Sequence, residues 1–163
     1  MNSKKLTTLV FGFVLLAGLF AAVAPVQAEG DQYLELMRQD MRTEKTALMT
    51  VGMDMTSEQG EIFWPIYRNY QNELTKIGDR RIALIKSYAE NYETMTGEKA
   101  DELMKEWFKQ QDSRLKLLKS AAKKISKDVD PITAARFVQV ENSLNMIIDL
   151  QVANELPLFA ATE

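Results

Sequence analysis

Six cations lie between positions 114 and 127: Arg114, Lys116, Lys119, Lys123, Lys124 and Lys127, with no acid among them. At helical spacing Lys116, Lys119, Lys123 and Lys127 share one face, beside an apolar strip at Leu115, Leu118, Ala122 and Ile125. A basic face edged by apolar groups can steer acidic, partly unfolded chains by long-range attraction and hold them by burial. Such a contact is weak and salt-sensitive. A second reading stands beside this one: cations near a helix C-terminus favour the helix dipole and are otherwise solvated. Arg68, Arg80, Arg81 and Lys86 extend the basic surface, or else pair with local acids such as Glu73 and Asp79. Surface pairs of that sort contribute roughly 0–1 kcal/mol.

Other chemistry has little to work with. The 163 residues include no cysteine and no histidine, which argues against an ordinary zinc site and against His- or Cys-dependent catalysis. Met53-Asp54-Met55 is too short a pattern to argue for copper. Glu58, Glu61, Asp101 and Glu102 sit at helix starts, where carboxylates favour the dipole. No Gly-rich phosphate loop, nucleophile elbow or metal-ligand cluster is present. The expectation is a protein that is not an enzyme and needs no cofactor.

The N-terminus reads as a secretory signal peptide over residues 1–28. Lys4 and Lys5 form a basic start, residues 9–24 are almost unbroken apolar, and Val26-Gln27-Ala28 ends in a small residue. The alternative, an uncleaved anchor, needs a longer apolar run. Cleavage leaves residues 29–163, the size of one domain. It removes two of the 20 basic residues and none of the 23 acidic ones, so the net charge becomes −5. That balance does not suit a general nucleic-acid binder, and no later stretch is apolar enough to insert stably in a membrane. Without disulfides, an exported chain of this size must be held by its core.

Four helices must build that core. Residues 31–50 carry an interrupted apolar face at Leu34, Met37, Met41 and Leu48. Met49, Met53 and Met55 follow, either packed on the interior or kept on an adaptable surface. Residues 57–94 form a long helix of about 55–60 Å, with Phe63, Tyr67, Tyr70, Leu74, Ile77, Arg81, Leu84 and Tyr88 in steps of four and three. Arg81 interrupts this seam and must end it, pair across an interface or reach outward. Pro65 either bends the helix or starts its main part after a short first turn; one bent helix is favoured. Residues 97–127 repeat the spacing through Met104, Phe108, Gln111, Leu115, Leu118, Ala122 and Ile125, with Trp107 beside it. A very short turn makes these two helices an antiparallel hairpin. Pro131 breaks the chain, and a fourth helix runs on to Pro157 with Phe137, Val140, Leu144, Ile147 and Ile148 inward. The fold expected is all-α and elongated.

Three helix starts share a form: Met55-Thr56-x-x-Gln59, Met95-Thr96-x-x-Lys99 and Ile132-Thr133-x-x-Arg136. Threonine capping explains all three, with Gln59 completing a capping box; at the fourth helix Asp130 is the rival cap. The first and third also resemble the LTxxQ-motif family of periplasmic proteins, the Spy/CpxP/ZraP group. Met55 stands for the Leu of that motif, and Arg136 for the Gln of its second copy. The Phe63-Trp64-Pro65 cluster is outside the motif and marks a divergent member. The resemblance implies a periplasmic, curved antiparallel homodimer and a concave surface that handles other proteins. It implies an ATP-independent chaperone for unfolded or partly folded envelope proteins. Its alternatives are a regulator that binds one envelope-stress sensor, or a structural scaffold. Zinc binding, known in the group, does not transfer to a chain without His or Cys.

Overall fold

The computed structural model describes residues 41–158. The signal-peptide reading of residues 1–28, residues 31–40 of the expected first helix and the tail from 159 lie outside the described residues. Among the described residues the chain is all-α: four helices, one 3₁₀ turn and no strand.

Helix α1 covers 41–53 and carries Lys45, Met49 and Met53 at four-residue steps on its buried face. The expected line through Met41 and Leu48 is only half-buried. The inward face lies one residue round from it, because a lysine occupies a core position. Asp54 follows at φ 47°, the left-handed conformation that commonly ends a helix.

Helix α2, Ser57–Asn91, has 35 residues and so spans about 50 Å. Thr56 caps it: its hydroxyl accepts from the Gln59 amide at 3.3 Å, and the Gln59 side chain accepts from the Thr56 amide at 3.0 Å. Pro65 lies inside this single helix. Its ring removes the amide that would meet the Glu61 carbonyl, and both residues lie on the exposed face of the helix. The expected helix to 94 ends at Asn91, and Tyr92–Thr94 form a 3₁₀ turn. Helix α3, Gly97–Asp128, starts at Thr96, whose hydroxyl accepts from the Lys99 amide at 3.2 Å. Helix α4, Pro131–Glu155, is capped by Asp130 and not by Thr133. With Pro131 first in the helix, its missing amide costs nothing, and Thr133 becomes the donor to the cap at 2.8 Å.

The helices run up and down. α2 and α3 form the expected hairpin, and α3 turns into α4 through two residues. α4 lies parallel to α2: Gln59 meets Asp130, Tyr70 meets Glu141, Arg81 meets Asp149, and Tyr88 meets the Pro157 carbonyl. α1 runs antiparallel to α4, from Lys45 against Glu141 to the Met53 carbonyl against Arg136. The core sits where all four meet. Phe63, Tyr67, Tyr70 and Phe137 pack with ring centroids 5.4–6.3 Å apart, with Met49 and Met53 closing over them. Burying each such side chain stabilises the fold by about 1.5–3 kcal/mol. The methionines pack on the aromatic cluster, and Met55 packs against its edge.

Candidate functional site

The structure divides the α3 residues in a way periodicity did not separate. Leu103, Gln110, Ala121 and Ile125 face inward. The expected seam is buried only toward its C-terminal end, where Ile125 is enclosed and Leu118 and Ala122 are half-buried. Further up, Met104, Phe108 and Leu115 are 50%, 55% and 48% exposed, and Trp107 is 48% exposed. At the C-terminal end of α3, opposite the stacked aromatic rings of α2, a small residue, Ala121, makes the contact. The bulky residues lie nearer the α2–α3 turn, away from those rings, and face outward.

Met104, Phe108 and Leu115 therefore line one outer strip of α3, with Trp107 beside it. The Trp107 and Phe108 rings meet edge to face at 5.0 Å. Lys119 and Lys123 continue the same strip at four-residue steps from Leu115. Lys116, Lys119, Lys123 and Lys127 are exposed and make no ion pair among the described residues. Lys124 is neutralised locally by Asp128 at 2.9 Å.

Arg114, grouped with these lysines by sequence, is turned away from them. Its guanidinium donates to Asp149 of α4 at 3.0 Å, and Arg81 of α2 donates to the same carboxylate at 2.6 Å. Asp149 thereby ties three helices together. Of the three roles open to Arg81, pairing across an interface is the one observed. Glu73 takes Lys76 as its partner, at 2.6 Å.

The motif residues come together at one end of the molecule. Besides its capping bond, the Gln59 side chain donates to Asp130 at 2.9 Å and to Thr133 at 3.4 Å. Hydrogen bonds from Thr133 and Gln59 hold the Asp130 carboxyl below the usual carboxylate range, those from Thr133 contributing most. Arg136 donates to the Met53 carbonyl at 2.8 Å, closing the C-terminus of α1. Thr56, Gln59, Thr133 and Arg136 thus join three helix ends. Ile132, the apolar lead of the last motif, is 77% exposed and packs on nothing central. Sequence spacing revealed the caps; it gave no signal that one glutamine serves two helices.

A buried polar group also escaped sequence reading. Lys45 donates to Glu141 at 2.5 Å, Tyr70 donates to the same oxygen at 2.7 Å, and Asn145 at 3.2 Å. The other Glu141 oxygen has no partner among the described residues. Burial lowers the Lys45 pKa while the Glu141 charge opposes it. Burial and Glu141 together push the Tyr70 phenol far above its ordinary value.

Among the described residues no group of three His, Cys, Asp or Glu side chains could hold a metal ion, and no helix is long and apolar enough to cross a membrane. No family model, curated protein or solved structure matches this chain.

Proposed function

We propose that this protein is an exported, ATP-independent chaperone that holds apolar segments of unfolded envelope proteins on the outer strip of α3. The observation that carries the reading is the exposure of Met104, Trp107, Phe108 and Leu115 along one helix, next to lysines without acidic partners among the described residues. Large aromatic and flexible thioether side chains left in water have a free-energy incentive to cover themselves with another chain. The cations give that chain a preferred character: apolar residues interspersed with Asp and Glu. Their field speeds encounter, and burial against the strip resists release. The motif residues belong to this reading as the pin that holds the helices in place. Periplasmic location and dimerisation, which the LTxxQ resemblance implies, are part of the same proposal.

The test is light scattering from a chemically unfolded client, with residues 29–163 added without ATP. Suppression with several unrelated clients, weakened by salt and lost in Trp107→Ser/Phe108→Ser, is the expected result. No suppression with any client overturns the reading. Sedimentation of the same sample tests the second copy. If Trp107 is protected within a dimer and clients do not compete, the strip serves self-association and the client site is withdrawn.

A further inference from the structure

α1 and α2 leave a groove of about 530 Å³ between them, bordered by Arg42 and Thr46 on one side and Trp64, Tyr67, Arg68 and Gln71 on the other. The groove lies between a different pair of helices from the client strip, and a ligand bound in it is independent of the chaperone reading. Among the described residues, none of the side chains lining the groove is a carboxylate. Neither the Arg42 nor the Arg68 guanidinium has a hydrogen-bond or ion-pair partner among the described residues.

Tyr67 and Gln71 also line the groove. The Gln71 amide donates to the Tyr67 hydroxyl, and that phenol has no acceptor for its own hydrogen among the described residues. Burial, reinforced by the charge of Glu141, pushes the Tyr67 pKa well above the ordinary phenol range, so the hydrogen stays in place. Turning the Gln71 amide over exchanges the two roles and still leaves amide hydrogens to spare. Thr46 spends its hydrogen on the Arg42 carbonyl at 2.7 Å, so its hydroxyl does not compete for the same role. Trp64 supplies an apolar wall, half-buried against Phe63 and Tyr67.

We propose that this groove binds a small amphipathic carboxylate, with its head between Arg42 and Arg68 and its apolar body against Trp64. Guanidinium groups bind carboxylates through paired, charge-assisted hydrogen bonds. The groove brings two guanidinium groups and an indole to one recess, and small-ligand sites combine an apolar wall with a few polar groups. Inorganic phosphate satisfies the donors and leaves the indole uncovered. A neutral amide of the same shape covers the indole and forgoes the charge.

Calorimetry with phenylacetate, phenylacetamide and inorganic phosphate separates these contributions. Trp64 emission, read in a Trp107→Phe background, locates the site, since the chain has two tryptophans. Saturable phenylacetate binding that changes Trp64 emission is expected, with phenylacetamide and phosphate both weaker. Arg42→Gln/Arg68→Gln should weaken phenylacetate by at least about tenfold, the measure of a charge-assisted hydrogen bond. Arg68 is exposed, so Arg68→Gln alone serves if the double variant melts early. The proposal is overturned by no saturable phenylacetate binding at millimolar concentration, or by binding indifferent to the arginine changes. It is equally overturned if phenylacetamide or phosphate binds as tightly as phenylacetate.

Discussion

Lys45 and Glu141 are the residues whose environment departs most from what their types prefer. Both are almost wholly enclosed, 8% and 0% exposed, and their attraction has to offset two desolvation costs. Removing one partner strands the other. Glu141→Leu should cost about 3–5 kcal/mol in equilibrium denaturation, and adding Lys45→Met should recover most of it. A loss that stays unchanged in the double variant would show that Tyr70 and Asn145, not Lys45, depend on Glu141. Gly52 makes a second residue-scale case. A Cβ there would lie 2.9 Å from a Val140 methyl carbon, so α1 and α4 approach through the missing side chain. Alanine favours a helix over glycine by about 1 kcal/mol, and overpacking costs about 1–3 kcal/mol. Gly52→Ala should therefore lower the denaturation midpoint, whereas a rise would mean that Val140 shifts freely.

Helix ends, more than helix middles, position the elements. α2 and α4 start side by side because Gln59 bonds within its own capping box and to Asp130 across the gap. A capping bond of this kind contributes about 1 kcal/mol, and here one residue closes two caps. The Asp130 carboxylate makes the join pH-dependent. Its pKa is lowered from the ordinary 3.8 by bonds that only the folded chain provides. A group depressed in this way contributes stability above its unfolded pKa and loses it as the pH falls through the folded value. The melting temperature should therefore fall below about pH 4. Asp130→Asn, which keeps a capping oxygen, should show a smaller fall over that range. Identical acid profiles for the two proteins would place the acid-sensitive group elsewhere.

The described residues have a thick end and a thin end. Around Phe63 and Phe137 four helices enclose the rings. Toward the α2–α3 turn the described chain has fewer layers, and there Arg81, Arg114 and Asp149 replace rings as the contact between helices. The outer strip of α3 lies along this thinner part of the described chain. Trp107→Ser/Phe108→Ser should leave thermal stability nearly unchanged, within about 0.5 kcal/mol as for surface positions generally, while removing client protection. A large loss of stability would mean that the strip is covered by the protein's own chain or by a second copy.

Local rules determined much of this protein from its sequence. Thr56, Thr96 and the chain break at Pro131 marked three helix starts, because capping and the proline ring act within a few residues. The aromatic seam from Phe63 to Ile77 placed the centre of the core, since no other face of α2 is as apolar. Periodicity placed Met104, Phe108 and Leu115 together but could not say whether they face in or out. That depended on which helices pack along this part of α3, a tertiary matter, whereas the rings of α2 meet α3 further along, at Ala121 and Ile125. The same limit hid Lys45 in the core and Arg114 in a bridge to Asp149. A charge reads as exposed in sequence, and only a partner on another helix can make its burial tolerable.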